Sequence, residues 1–277
     1  MGYLDDYRER GYAVVRNVIS PAEIAELKAG FDRVHADALS HPKSWRHGNL
    51  LYRTARDAKL GRIVRLVQWP SYDYPVFQRF RTDRRIGDII APLLGRDVKQ
   101  IINQLHWKPQ GAAMAEFGYH QDIRFRRPRT AYRDPENNYV QTGIAIDAHT
   151  AQTGAMTVLP GSHRLGELDM KINGSVAQTA LADSDIATLG LDPRAVVSLD
   201  MEPGDFALWH LGVLHGSGPN EAAPDRRFYI NGYVRASACD RGEWAFRDGE
   251  PCPLGEPVLV HYEDLHARPG PYDVDEG

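Results

Sequence analysis

Val98-Lys99-Gln100-Ile101-Ile102-Asn103-Gln104-Leu105-His106-Trp107 opens the stretch that decides the fold. It is rich in β-branched and aromatic residues. Further runs of the same texture follow at Tyr139 to Ile146, Ala155 to Leu159, Val196 to Leu199, Phe206 to Trp209 and Phe228 to Val234, separated by Gly, Pro, Asn and Asp. Short strands with turn signals between them predict an all-β sandwich or barrel. No helical pattern lies between successive strands, which excludes a parallel βαβ sheet.

Outward from that stretch the texture changes. Tyr12 to Val15 is a short β-prone run. Ser20-Pro21-Ala22-Glu23 is a capping box, and Ile24, Leu27, Phe31 and Val34 follow at helical spacing as far as His41-Pro42. A second helix is expected from Thr82, with Ile86, Ile89, Ile90, Leu93 and Leu94 on one face up to Gly95. The chain thus reads as one domain over 1–277: a helical part over about 1–96 with one early strand, a β core over about 97–236, and an extension over about 237–277. Two polar stretches, Arg124 to Asn138 and Lys171 to Asp192, read as long loops, which in a compact domain serve as lids or binding loops. The Gly/Pro/Asp-rich tail from Pro269 is expected to fray.

Composition narrows the function. Of 277 residues, 42% are hydrophobic and 25% charged, as in an ordinary globular protein. The net charge of −4 gives no pull toward nucleic acid, and no apolar run approaches the roughly 20 residues a membrane helix needs. The two cysteines, Cys239 and Cys252, fit free thiols better than a zinc ribbon or disulfide framework. Met1 to Asp6 lacks the basic and apolar regions of a signal peptide, so a cytoplasmic protein is expected.

The chemistry concentrates at His120-Gln121-Asp122. On a strand, residues i and i+2 share a face, so an imidazole and a carboxylate stand side by side. The best third ligand is His215, within Leu214-His215-Gly216-Ser217-Gly218-Pro219-Asn220. Two histidines and one carboxylate form a facial triad that leaves positions open on a ferrous ion, whereas zinc favours a four-coordinate site. Arg226 follows on the next strand, where a planar guanidinium suits the far carboxylate of a metal-bound dicarboxylate. Arg227 competes for that role. Strand alternation admits only one of them to the cavity, and the spacing favours Arg226.

With Thr157-Val158-Leu159-Pro160-Gly161-Ser162-His163 and Pro203-Gly204-Asp205, these segments resemble the phytanoyl-CoA dioxygenase family of Fe(II)- and 2-oxoglutarate-dependent oxygenases. The resemblance runs from Tyr12 to about Val234. It implies a double-stranded β-helix, a jelly roll with flanking helices. It implies that His120, Asp122 and His215 bind Fe(II), that Arg226 meets the C5 carboxylate of 2-oxoglutarate, and that Ser217 assists on that carboxylate. Gln104 and His106, which share parity on one strand, and Gln141 on the next are further candidates for the cosubstrate pocket. The implied reaction consumes O2 and 2-oxoglutarate, releases succinate and CO2, and oxidises an unactivated C–H bond of a small molecule. The carboxylate of Asp122 occupies the position that halogenases of this fold leave to halide, so hydroxylation is expected; desaturation, cyclisation and epoxidation draw on the same chemistry.

Other readings stay open at this level. A cupin-type metalloenzyme working without 2-oxoglutarate and a non-catalytic jelly-roll binding module share the strand pattern, although an intact triad with Arg226 speaks against the module. His210 is expected on the face opposite His215, His163 in a turn, and His149, His261 and His266 in structural roles. Trp209 and Tyr132 read either as core or as pocket lining. The arginines at 124, 126, 127, 129 and 133 form either a solvated face or a cationic rim that attracts an anionic substrate such as an amino acid or a phosphonate. No CoA-binding motif is visible, and the oligomeric state is not written in the sequence.

Overall fold

The computed structural model describes residues 2–112, 115–168, 183–255 and 270–274. The elements run α1 (Tyr3–Arg10), β1 (Tyr12–Val15), α2 (Pro21–Ser40), β2 (Ser44–His47), β3 (Leu50–Asp57), β4 (Gly61–Gln68), α3 (Pro75–Arg81), α4 (Arg84–Leu94), β5 (Val98–Lys108) and β6 (Phe117–His120). A short helical turn, α5 (Pro135–Asn138), leads to β7 (Tyr139–Ala145), β8 (Met156–Val158), α6 (Asp183–Thr188), β9 (Val197–Ser198), β10 (Phe206–Trp209), β11 (His215–Ser217) and β12 (Arg226–Arg235). The last strands are β13 (Glu243–Arg247), β14 (Glu250–Pro251) and β15 (Tyr272–Val274).

Among the described residues all strand pairs are antiparallel and form two sheets, one of 11 strands and one of four. The large sheet has the order β1-β10-β7-β12-β5-β4-β3-β2-β15, with β13 also on β5; the small sheet is β6-β11-β8-β9. This is a jelly roll: the centre of the large sheet faces the small one.

The large sheet is buried on both faces, so β7 is buried at every residue and reads as a continuous run rather than an alternation. Its outer face carries Tyr52, Val67, Leu105, Trp107, Ile144, Leu208, Tyr229 and Tyr233 against Leu27, Phe31 and Val34 of α2 and the apolar faces of α3 and α4. Helix α2 starts at the Ser20–Glu23 capping box, in which the Ser20 hydroxyl accepts from the Glu23 amide. The inner face packs Ala145, Ala207, Trp209 and Phe228 against Met156, Val158 and Val213. Gly143 has no side chain for a reason: a Cβ there would lie 2.2 Å from the Phe228 ring.

The N-terminal third differs from the expectation of a helical part with one strand. Residues 44–68 form a three-strand meander that widens the large sheet. Its arginines at 46, 53, 56, 62 and 65 interrupt the apolar alternation, so the period of two is weak in the sequence. The tail also departs from fraying: Tyr272–Val274 pairs with Ser44–Arg46 as an edge strand. His261, His266 and most of the Lys171 to Asp192 stretch lie outside the described residues; the described part of that stretch includes α6. No described helix is long and apolar enough to cross a membrane.

Candidate metal centre

The register of the small sheet builds the site. His120, the last residue of β6, is the direct partner of His215, the first of β11, so the two imidazoles share a face with ring centroids 4.3 Å apart. The ladder ends at His120, but Gln121 keeps extended backbone (φ −114°, ψ 130°), and Asp122 returns to the same side as it enters a short 3-10 turn, Asp122–Phe125. Gln121 points away: its amide nitrogen donates to the carbonyls of Gly166 and Gly212 at 2.9 and 2.7 Å, and its oxygen accepts from the Leu168 amide. One donor atom from each of His120, Asp122 and His215 lies within 4.8 Å of the others, and all three residues are buried.

Hydrogen bonds fix which atoms face inward. His120 Nδ1 lies 2.8 Å from the Gly118 carbonyl and His215 Nδ1 lies 3.0 Å from the Val213 carbonyl. A carbonyl only accepts, so each Nδ1 carries the proton and each Nε2 presents a lone pair to the site. These Nε2 atoms stand 3.8 and 3.7 Å from the Asp122 carboxylate oxygens. Trp209 Nε1 donates to Asp122 Oδ2 at 2.9 Å and holds the carboxylate in place. The donor set, two imidazole nitrogens and one carboxylate oxygen gathered on one side, fits a ferrous ion with open positions.

Electrostatics favour the metal-ready protonation state. Burial pushes His120 down to about 4, helped by His215, so its imidazole is neutral at pH 7. Burial works against the Asp122 carboxylate, but His215, His120, Arg126 and the Trp209 donor outweigh it and hold it below the usual carboxylate range.

Arg226 and Arg227 separate as alternation requires. Arg226 is 5% exposed, lies on the inner face, and leaves its Nε enclosed without a partner among the described residues. Its Nη1 donates to His149 Nδ1 at 3.2 Å, and the opposite ring nitrogen of His149 faces the Arg227 carbonyl at 3.4 Å. Arg227 points out to Asp147 and Asp32, both at 2.8 Å. Burial lowers Arg226 to about 10.

The remaining candidates line the same face. Gln141 is the register partner of Trp209, and its Oε1 accepts from the Tyr139 hydroxyl at 3.1 Å. His106 is the partner of Phe228, whose ring stacks on Trp209, and it lies 3.0 Å from Gln104 Oε1. Burial lowers His106 to about 3, with Arg226, Arg65 and Lys108 adding to the effect. Ser217 Oγ accepts from Lys108 Nζ at 2.7 Å rather than standing free.

Several residues of the site went unread in the sequence. Lys108 donates to Ser217 and to the Gly218 carbonyl, and burial followed by the charge of Arg226 pushes it down to about 6. Its signal was present, since Lys108 continues the Gln104–His106 parity. His149, expected to be merely structural, is the partner of Arg226; it arrives from the segment after β7, and no motif marks it. Trp209 proves to be the donor to Asp122. Arg65 sits at a bulge of β4 with its Nε enclosed and its guanidinium 5.6 Å from the Phe117 ring centroid. His210 and His163 keep the packing roles expected of them, with their rings 5.1 Å apart. Strand parity does not place His210 opposite His215, however, because residues 210–214 cross between the sheets and do not continue β10.

Comparison with known proteins agrees with this geometry. The pattern of the family described as phytanoyl-CoA dioxygenase (PhyH) matches residues 7–228. A protein of Stutzerimonas stutzeri described as "Probable alpha-ketoglutarate-dependent hypophosphite dioxygenase" is 26% identical over 84% of this chain and 78% of its own length. The methylphosphonate hydroxylase of Gimesia maris is 24% identical over 88% of this chain and 84% of its own. The crystal structure of EctD from S. alaskensis with bound Fe shares the fold, with a TM-score of 0.64, 22% identity, and coverage of 90% of this chain and 84% of that one.

Proposed function

This chain belongs to the phytanoyl-CoA dioxygenase family, and on that premise we propose that His120, Asp122 and His215 hold its iron and Arg226 receives the far carboxylate of 2-oxoglutarate. The protein is an Fe(II)- and 2-oxoglutarate-dependent dioxygenase that hydroxylates a small substrate. When bound, iron(II) with 2-oxoglutarate and O2 supplies oxidative decarboxylation to succinate and CO2 and puts one oxygen atom into an unactivated C–H bond.

The chain's own residues supply the setting. The two backbone carbonyls keep Nε2 of each histidine free to ligate, and Trp209 orients the carboxylate. Arg226, held by His149 and with one nitrogen enclosed and unpaired, is ready for a carboxylate. Lys108 holds Ser217 beside it. The apolar inner face around Phe228, Val158 and Met156 keeps water from the reacting centre.

The observation that carries the reading is the set of three enclosed donors on one face of the jelly roll, with Arg226 buried on the facing sheet. The substrate is read as a small molecule with an oxyanion group. Four cationic side chains lie on or beside the inner face, Arg65, Arg124, Arg126 and Arg226, and two relatives are named for a hypophosphite and a phosphonate. The two free thiols fit work in a reducing cytoplasm.

The test is anaerobic addition of Fe(II) and then 2-oxoglutarate. A weak visible band at about 500 nm is expected from chelation at an open ferrous site. Bound iron without the band, and no change on Arg226→Ala, would overturn the cosubstrate assignment and favour a metalloenzyme working without 2-oxoglutarate.

A further inference from the structure

We propose that Arg126 is the residue that receives the anionic group of the substrate, and that the group is an oxyanion, either carboxylate or phosphonate. This deepens the proposed function and rests on it.

The arginine-rich segment divides into two sets. Arg127 and Arg129 pair with Glu167, and Arg133 grips Asp240 at 2.9 and 3.0 Å together with the Ser237 carbonyl. Those three point outward and are compensated. Arg126 turns inward. It is 3% exposed, its guanidinium carbon lies 5.2 Å from the Tyr139 ring centroid, and its Nε reaches the Asp122 carbonyl only at the long limit of 3.5 Å. Its Nη1 is enclosed and has no hydrogen-bond partner among the described residues. Arg124 also has an enclosed, unpartnered Nη1, and it lies near enough to His120 to lower its pKa.

A guanidinium taken out of water needs an opposite charge and partners for its donors. The carboxylate whose charge reaches Arg126 is that of Asp122, and the Tyr132 phenol accepts a hydrogen bond from the guanidinium; together they keep Arg126 charged despite its burial, while Nη1 stays unmatched. Asp122 is committed to the metal in the proposed function. With a divalent ion, Asp122, Arg226, Arg126 and dianionic 2-oxoglutarate in place, the enclosed site still carries one positive charge, before Arg124 is counted. An oxyanion on the substrate removes that excess and satisfies Nη1. Arg126 lies in the segment that begins at a proposed ligand, so an anion held there sits beside the metal rather than on the distant rim. The same placement sets specificity: a neutral analogue leaves Nη1 unpaired and is rejected.

The experiment is anaerobic titration calorimetry of the Fe(II)- and 2-oxoglutarate-loaded protein, with methylphosphonate and acetate as probes. Wild type is expected to bind at least one probe. Arg126→Gln should weaken that binding by about tenfold or more, the worth of one charge-assisted pairing. Arg126→Lys keeps the charge and should bind between the two, which also covers a folding defect in the glutamine variant. Arg127→Gln should match wild type, and the affinity for 2-oxoglutarate should change less than about twofold in Arg126→Gln. Equal probe binding by wild type and Arg126→Gln, or no binding of either probe by wild type, would overturn the proposal. Failure of the underlying assignment shows separately, as loss of the visible band before any probe is added.

Discussion

Replacing Trp209 by Phe tests whether the metal site depends on a group that touches no metal. The indole Nε1 donates to Asp122 Oδ2 at 2.9 Å, with both groups buried, and the ring stacks on Phe228 at 6.1 Å between centroids and an 18° tilt. Phenylalanine retains the stacking and removes only the donor and part of the ring. A hydrogen bond to a charged acceptor is worth about 1.5–3 kcal/mol. At about 1.4 kcal/mol per decade, losing it weakens the carboxylate as an oriented ligand by roughly tenfold to a hundredfold. Some of that is offset because the freed oxygen can turn toward the ion, so a rise of about tenfold in the Fe(II) dissociation constant is expected. The donor also helps to hold the Asp122 carboxyl below its ordinary pKa. Its loss raises that pKa, protons compete at higher pH, and the midpoint of metal binding moves upward. The assay is anaerobic competition for Fe(II) against a chelating indicator across pH 4 to 8, with thermal melting to show that the variant folds. A dissociation constant within about twofold of wild type and an unmoved pH midpoint would refute the claim that Trp209 sets the ligand.

Further outcomes follow from the same structure. His215→Ala should abolish Fe(II)-dependent succinate release while the melting temperature stays near that of wild type; retained turnover would remove His215 from the ligand set. Arg226→Gln should raise the KM for 2-oxoglutarate by about a hundredfold, since a bidentate charge-assisted pair is lost, with kcat the smaller change; steady-state kinetics at saturating substrate decides. The metal-free protein should lose stability as pH falls from about 6.5. His106 is held neutral down to about 3 and His120 to about 4, while both ionise near 6.5 when unfolded, so the unfolded chain binds more protons in that window. His106→Gln should flatten the slope of chemical denaturation against pH, and an unchanged slope would show that His106 does not contribute. Arg81 is fully buried and donates to Gln100 Oε1 and to the Trp244 and Cys252 carbonyls. Arg81→Met leaves those acceptors unpaired and should cost about 3 kcal/mol in a urea melt.

The sequence alone determined the strand class and offered the candidate residues that the structure gathers on facing sheets. Apolar β-branched runs between turn residues report local geometry, and the antiparallel core over 98–235 follows from them. His120, Asp122 and His215 could be named as candidates because ligand chemistry restricts residue type; strand alternation, a local property, admitted one of Arg226 and Arg227, and the spacing after His215 favoured Arg226. The meander at 44–68 was hidden, since arginines on its faces replaced the apolar alternation that marks a strand. Partnership across the fold was hidden for a different reason. The Trp209–Asp122 bond joins β10 to the turn after β6, His149 reaches Arg226 from beyond β7, and Lys108 meets Ser217 across the two sheets. Such pairs join residues far apart in the chain, and only the closing of one sheet over the other sets their distances. The same closure divides the arginine segment. Arg127, Arg129 and Arg133 find Glu167 and Asp240 outside, while Arg126 is enclosed beside Asp122. Identical side chains thereby acquire opposite roles, because burial, not residue type, decides whether a positive charge is screened by water or must be met by another group.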